Sequence, residues 1–259
     1  VSSTQVVVHA NPELVAAAAA ARLTVRLVDV QHARGVASVV LTGGRTGIAV
    51  LEQLRRSPAR DAVDWSKVDI YWGDERFLPP GHPDRNDTQA RAALLDHVPV
   101  DPARVHPMPA ADDRWRDDAE GAAEAYAREL AAQASPEDHG PVPRLDVCLL
   151  GVGEEGHTGS IFPSSPAAYE TERTVVAVQG SPKPPPTRIT LTLPAIRRSA
   201  EVWLLTTGAS KAAVVAMALR GAGEIQLPAA GARGLRRTLW VLDREAASKL
   251  PRDLAPPLI

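Results

Sequence analysis

An almost wholly apolar run, LDVCLLG at 145–151, sets the terms for this chain. A strand with no polar face has to be covered on both sides, as in the middle of a parallel sheet. The rest of the sequence supplies the matching pattern, because short β-type runs alternate with helical ones. QVVVHA (5–10) reads as a strand, and Asn11 and Pro12 supply a cap and a first-turn proline for a helix. In that helix Leu14, Ala18, Ala21, Val25 and Val28 recur at helical spacing, and Gly35 ends it. ASVVLTG (37–43) and VDIYW (68–72) read as strands, with a helix beginning at Ile48 to Leu54 between them. A polar loop, GDERFLPPGHPDRND, is expected after VDIYW, then helices over Thr88 to His97 and Ala119 to Ala134. Beyond 151 the strands are TVVAVQ (174–179), RITLTL (188–193), EVWLLTTG (201–208) and TLWVLD (238–243), with a helix from Ser210 to Leu219. This alternation predicts an α/β fold: a single domain over residues 1–259, with a mainly parallel sheet and helices on both faces.

Sheets of this kind bind ligands at the carboxyl ends of their strands. Four loops stand out on that ground. Thr42-Gly43-Gly44-Arg45-Thr46-Gly47 joins a strand to a helix, where glycines and a helix N-terminus suit a phosphate. No GK[ST] follows, so it is not a Walker A loop. Gly73-Asp74-Glu75-Arg76 follows VDIYW: Arg76 is a candidate fork for a phosphate or carboxylate, Asp74 holds it or accepts from sugar hydroxyls, and Asn86 closes over the substrate. The third loop, after LDVCLLG, carries His157 beside Glu155, a carboxylate suited to fixing the imidazole tautomer and favouring proton acceptance. Its first six residues match G-x-G-x-x-G, but Glu154 and Glu155 would repel a pyrophosphate, and Pro163 and Pro166 cut short the helix a dinucleotide site needs. The fourth, SPKPPPTR (181–188), is stiffened by prolines that hold Lys183 in place, and in the strand that follows Arg188, Thr190 and Thr192 share a face. Lys211 follows a further strand end and is another candidate anion contact.

Composition narrows the classes of function. The formal charge of −2 offers no basic field for nucleic acid. The longest apolar stretch, Val15 to Leu23, is interrupted by Arg22 and is too short to span a bilayer. VSSTQVVVHA lacks the basic and apolar regions of a signal peptide. Cys148 stands alone inside an apolar run, which predicts a buried, inert thiol and a reducing compartment. A cytoplasmic enzyme is therefore expected. There is no G-x-S-x-G elbow, no H-E-x-x-H and no paired-cysteine zinc pattern. What remains is a histidine near a carboxylate, flanked by cationic and glycine-rich loops. That set suits general-base activation of water on a small phosphorylated substrate. An already activated ester would require neither a metal nor a covalent nucleophile.

With those residues in hand, the chain resembles the 6-phosphogluconolactonases. VVLTGGRTG, VDIYWGDERFLPP with DRNDTQAR, LDVCLLGVGEEGHTGSIFP, SPKPPPTRITLTLPAI and EVWLLTTGASK carry the resemblance, over about residues 36 to 245. It implies a single Rossmann-like α/β domain related to glucosamine-6-phosphate deaminases, acting on a sugar-phosphate lactone with no cofactor or metal, as a monomer or weak dimer. By motif, His157 is implied as the general base, with Gly43, Gly44, Arg76, Lys183 and Arg188 on phosphate or substrate oxygens. The chain departs from the family pattern at Glu155, often Asp, at Gly159, often Ala, and at Arg45, often a small polar residue. Arg45 either adds a phosphate contact or points to solvent. Deaminases carry a further acidic residue after the GH pair, whereas TGSIFP follows here. A non-catalytic sugar-phosphate sensor would carry a DNA-binding helix pair, and the N-terminus shows a strand and an Ala-rich helix instead.

Overall fold

The run at 145–151 lies in the middle of a sheet, buried along nearly its whole length. The structure, a computed structural model, describes residues 2–251 and Leu254. Its elements run β1 (Ser3–His9), α1 (Pro12–Arg34), β2 (Ala37–Leu41), α2 (Gly44–Arg56), β3 (Val68–Trp72), β4 (Asp74–Arg76), α3 (Asn86–Ala93), α4 (Ala119–Gln133), β5 (Leu145–Gly151), β6 (Val175–Val178), β7 (Arg188–Leu191), α5 (Leu193–Ile196), β8 (Ser199–Thr206), α6 (Ala212–Leu219), α7 (Pro228–Gly231) and β9 (Arg237–Asp243). The main sheet has the order β1-β9-β8-β5-β2-β3, and every neighbouring pair is parallel. All residues of β2 and β8 are buried, so both faces of the sheet are covered. The one acidic residue of β5, Asp146, is satisfied by Arg34, the Ser38 backbone N–H and the Ser38 hydroxyl. Cys148 is fully buried and its thiol is pushed up to about 12 by burial, so the inert reading holds.

The helices start and stop where local chemistry directs. Asn11 accepts from the Leu14 N–H at the head of α1, and Gly35, at φ 83°, closes it. The buried stripe of α1 differs from the expected one. Leu14 and Val25 are exposed, and Val15, Ala19, Leu23, Leu27 and Val30 face the core. Alanine on every side of this helix leaves its apolar periodicity ambiguous, and only packing against α2 and the sheet selects the face. Helix α2 begins four residues before the expected Ile48, inside the glycine turn itself. Helix α3 is shorter than expected at its C-terminal end, because Leu94 leaves helical geometry at φ −145° and a 3₁₀ turn over Leu95–His97 follows.

Three short segments form a second, antiparallel sheet of order β4-β7-β6. The triplet expected as the start of a polar loop is thus a strand, and its partner is β7. Asp74 pairs with Thr190 and Arg76 with Arg188, which sets charged residues of distant segments side by side. Helix α4 packs on β6 and β7. It also reaches the main sheet through Tyr126, whose hydroxyl donates to the His106 carbonyl and accepts from the Trp72 N–H.

Candidate active site

The chain leaves β2 for β3 on one side, while β5 pairs with β2 on the other. That reversal opens a crevice beyond the carboxyl ends of β2 and β5. The loops after β2, β3, β5 and β8 meet there, and the proline loop entering β7 closes one side. Together they enclose a cleft of about 450 Å³. Gly43, Gly44, Arg45, Asp74, Arg76, Asn86, His157, Lys183, Arg188 and Lys211 all line it. Glu155 does not line the wall and instead supports His157 and Lys183. Among the described residues, no group of three or more His, Cys, Asp or Glu side chains is arranged to hold a metal.

The glycine turn is shaped by close approach. A Cβ on Gly43 would stand 1.9 Å from Asn86 Oδ1, so only glycine admits the Asn86 carboxamide there. Gly44 takes φ 79°, in the left-handed region glycine favours. No side chain caps α2, so its first-turn N–H groups face the cleft without a side-chain partner. Thr46 Oγ1 lies 3.3 Å from Thr207 Oγ1 across the cleft floor. Neither threonine was singled out from sequence, although Thr207 follows a strand end as the other site residues do. Burial lowers the Lys211 ammonium, and the neighbouring charges of Arg45 and Lys183 push the same way. Glu154 and Asp243 oppose them, and the three cations line the cleft beside an open helix N-terminus, a setting that suits an anion.

Across the cleft, Asp74 accepts from the Ser160 hydroxyl at 2.7 Å, and Asn86 Nδ2 donates to the Asp74 carbonyl at 2.8 Å. Ser160 is a further residue that sequence reasoning missed. Its neighbour Gly159 sits at φ 55° and close to Thr190, where a Cβ would come within 3.0 Å of Oγ1. Arg76 donates from Nη1 to the Asp84 carbonyl at 2.6 Å, and its buried Nε has no partner. Arg188 spends much of its fork on the proline loop, donating to the carbonyls of Pro185, Lys183 and Pro184. It therefore shapes the loop that presents Lys183 as well as lining the cleft.

His157 is held at the hinge of these parts. Its ring lies against Gly153, where a Cβ would come within 1.9 Å of Nδ1, and against Phe162, with centroids 4.7 Å apart. Nδ1 stands 3.0 Å from Glu155 Oε1 but off the hydrogen-bonding direction. The second carboxylate oxygen of Glu155 accepts from Lys183 Nζ at 3.1 Å. Burial lowers the imidazole below its ordinary value. Glu155 opposes that shift, and Lys183 adds to it. A neutral imidazole at neutral pH is in the state that accepts a proton. Burial pushes Glu155 up, but its own backbone N–H, His157 and Lys183 bring its carboxyl below the usual range. No helix follows the glycines of this loop, in keeping with the rejection of a dinucleotide site.

Comparison with known proteins places the chain. The family model described as glucosamine-6-phosphate isomerases/6-phosphogluconolactonase matches residues 10–240. The chain belongs to that family. A 6-phosphogluconolactonase of Streptomyces coelicolor is 63% identical over 253 residues, covering 98% of this chain and 97% of the relative. One of Mycobacterium tuberculosis is 51% identical over 249 residues, covering 96% and 99%. The solved 6-phosphogluconolactonase of Trypanosoma brucei superposes with a TM-score of 0.82 at 30% identity, covering 97% of this chain and all of that one. A monomeric glucosamine-6-phosphate deaminase shares the fold at a TM-score of 0.77 and 22% identity, over 95% of this chain and 99% of the deaminase. In this glucosamine-6-phosphate isomerase/6-phosphogluconolactonase family member the segment GHTGSIFP brings His157 and Gly159 to the cleft, with Ser160 behind Asp74 and Phe162 behind the His157 ring.

Proposed function

We propose that the chain hydrolyses 6-phosphogluconolactone to 6-phosphogluconate, with His157 as the general base. The carrying observation is that a half-buried imidazole beside a carboxylate and a set of five cationic side chains, Arg45, Arg76, Lys183, Arg188 and Lys211, share one cleft. The names of the closely similar relatives support the same substrate. On this reading the phosphate sits among Arg45, Lys183 and Lys211 at the head of α2, within reach of the Thr46 and Thr207 hydroxyls. That anchorage orients the ring. Asp74, Arg76, Asn86 and Arg188 face the sugar oxygens. Glu155 holds the Nδ1 side of the imidazole and leaves Nε2 for water. Nε2 takes a proton as the water attacks the lactone carbonyl. An N–H of the glycine-rich loops or a wall cation steadies the oxyanion. The ring oxygen then departs and receives a proton from the imidazolium, which restores the base. The whole chain works as one lactonase domain in the cytoplasm, as a monomer or weak dimer and without a nucleic-acid partner. The net charge of −2 and the single buried cysteine support the reading of a cytoplasmic enzyme without a nucleic-acid partner.

The test is a coupled assay of 6-phosphogluconate formation on fresh lactone, with spontaneous opening subtracted. His157→Ala lowers the enzymatic rate by about 10²–10⁴. Turnover no faster than the spontaneous rate in the unaltered enzyme, or ammonia release from glucosamine 6-phosphate, would refute the reading.

A further inference from the structure

One buried ionisable group beside the cleft plays no part in the chemistry above. Glu75 lies between Asp74 and Arg76 on β4, and strand alternation turns it away from the cavity those two line. It is 1% exposed. Its Oε1 accepts from the backbone N–H of Arg76 at 2.8 Å and of Asn86 at 2.7 Å, and its Oε2 accepts from the Asp87 N–H at 2.9 Å. Arg85 Nη2 lies 3.7 Å from Oε2. The carboxylate therefore performs the capping of α3 that the N-cap residue Arg85 does not, since that residue makes no side-chain cap bond. The arrangement is costly, for burial pushes the Glu75 carboxyl up to about 7 against the opposing pull of Arg85 and the α3 N–H groups. An apolar residue in the same place would escape the desolvation but leave the Arg76, Asn86 and Asp87 N–H groups and the buried Arg85 without this partner.

What the carboxylate holds in place is at the cleft wall. Asn86, the first residue of α3, is 2% exposed and points its carboxamide at Gly43. Nδ2 is taken by the Asp74 carbonyl, and the buried Oδ1 has no donor. Asn86 nevertheless lines the cleft, so its carboxamide borders the space open to a sugar ring at the junction of the glycine turn and Asp74. We propose that Glu75 is a positioning residue for lactone opening, tying β4 to the first turn of α3 so that the Asn86 carboxamide meets a ring hydroxyl. This inference rests on the lactonase reading of the cleft.

A double-mutant cycle on the full chain tests it, using kcat/KM for 6-phosphogluconolactone and the thermal midpoint of each variant. Glu75→Gln keeps the shape but turns an amide N–H toward a backbone donor. Glu75→Gln and Asn86→Ala each lower kcat/KM by about tenfold or more, and the double variant is no worse than the poorer single one. A merely structural role would lower the midpoint and give losses that multiply in the double variant. Multiplying losses, or a Glu75→Gln enzyme with unchanged kcat/KM, would overturn the proposal. Should Glu75→Gln fail to fold, Glu75→Asp retains the charge with a shorter reach and enters the same cycle under the same criteria. An unaltered enzyme without turnover refutes both the lactonase reading and this one. An active enzyme with multiplying losses refutes only this one.

Discussion

Burial pulls the His157 imidazole down, Lys183 pulls the same way, and Glu155 resists. For a base that must be neutral, activity falls as the pH drops through the imidazole pKa of the free enzyme. The acid limb of kcat/KM therefore has its midpoint below the ordinary histidine value of 6.5. Lys183→Ala removes one of the groups that lower it, so the limb moves to higher pH even as the absolute kcat/KM falls. A pH profile of both enzymes measures this, and an unmoved limb would mean that the Lys183 charge is not felt at the imidazole. At this scale most of the cleft could be read directly, because glycines, a histidine and cations placed just after strand ends point to a ligand at the sheet's carboxyl edge. Glu75 could not. A DER triplet does not reveal which of its three side chains turns inward until the strand exists.

At the scale of elements, β3 and α4 are joined by a charged clamp distant from the chemistry. His106 stacks on Tyr71, with ring centroids 4.6 Å apart. Its Nδ1 is 2.8 Å from Glu129 on α4, and its Nε2 is 4.0 Å from Asp69 on β3. Burial alone lowers this imidazole, but Asp69 and Glu129 outweigh it and raise it to about 9. The folded value lies above the unfolded one of 6.5. The stabilisation is thus complete below about pH 6.5 and is lost as pH rises through about 9. Glu129→Gln destabilises the protein by about 1–3 kcal/mol in the lower range, and the difference from the unaltered protein shrinks towards alkaline pH. Denaturant midpoints from pH 6 to 10 test this. A pH-independent difference would show that the ring is not charged. Turnover should be unaffected, since these residues do not line the cleft.

Over the whole molecule, a formal charge of −2 coexists with a cleft walled by Arg45, Arg76, Lys183, Arg188 and Lys211. On the proposed reading, attraction for a phosphorylated ligand is local and open to screening. The Debye length falls from about 10 Å at 0.1 M salt to about 3 Å at 1 M. Raising the salt over that range should increase KM for 6-phosphogluconolactone while leaving kcat and the KM for unphosphorylated gluconolactone nearly constant. Steady-state rates at the two ionic strengths decide it. An equal rise for both lactones would remove the phosphate role from these cations.

The parallel sheet and the loops that serve it were written in local sequence. Apolar runs of strand length and glycines at strand ends are short-range signals, and a parallel sheet brings the carboxyl ends of its strands to one side by construction. The buried face of α1 was not so written, because an Ala-rich helix has apolar candidates on several sides. Nor was the small sheet. β4 has three charged residues and no apolar alternation, and only pairing with β7, far along the chain, makes it a strand. That pairing sets Arg76 beside Arg188 and turns Glu75 inward beneath Asn86. The choice of candidate groups rests on residue type and spacing. Their placement depends on long-range hydrogen bonds and burial, which exist only once distant segments have met.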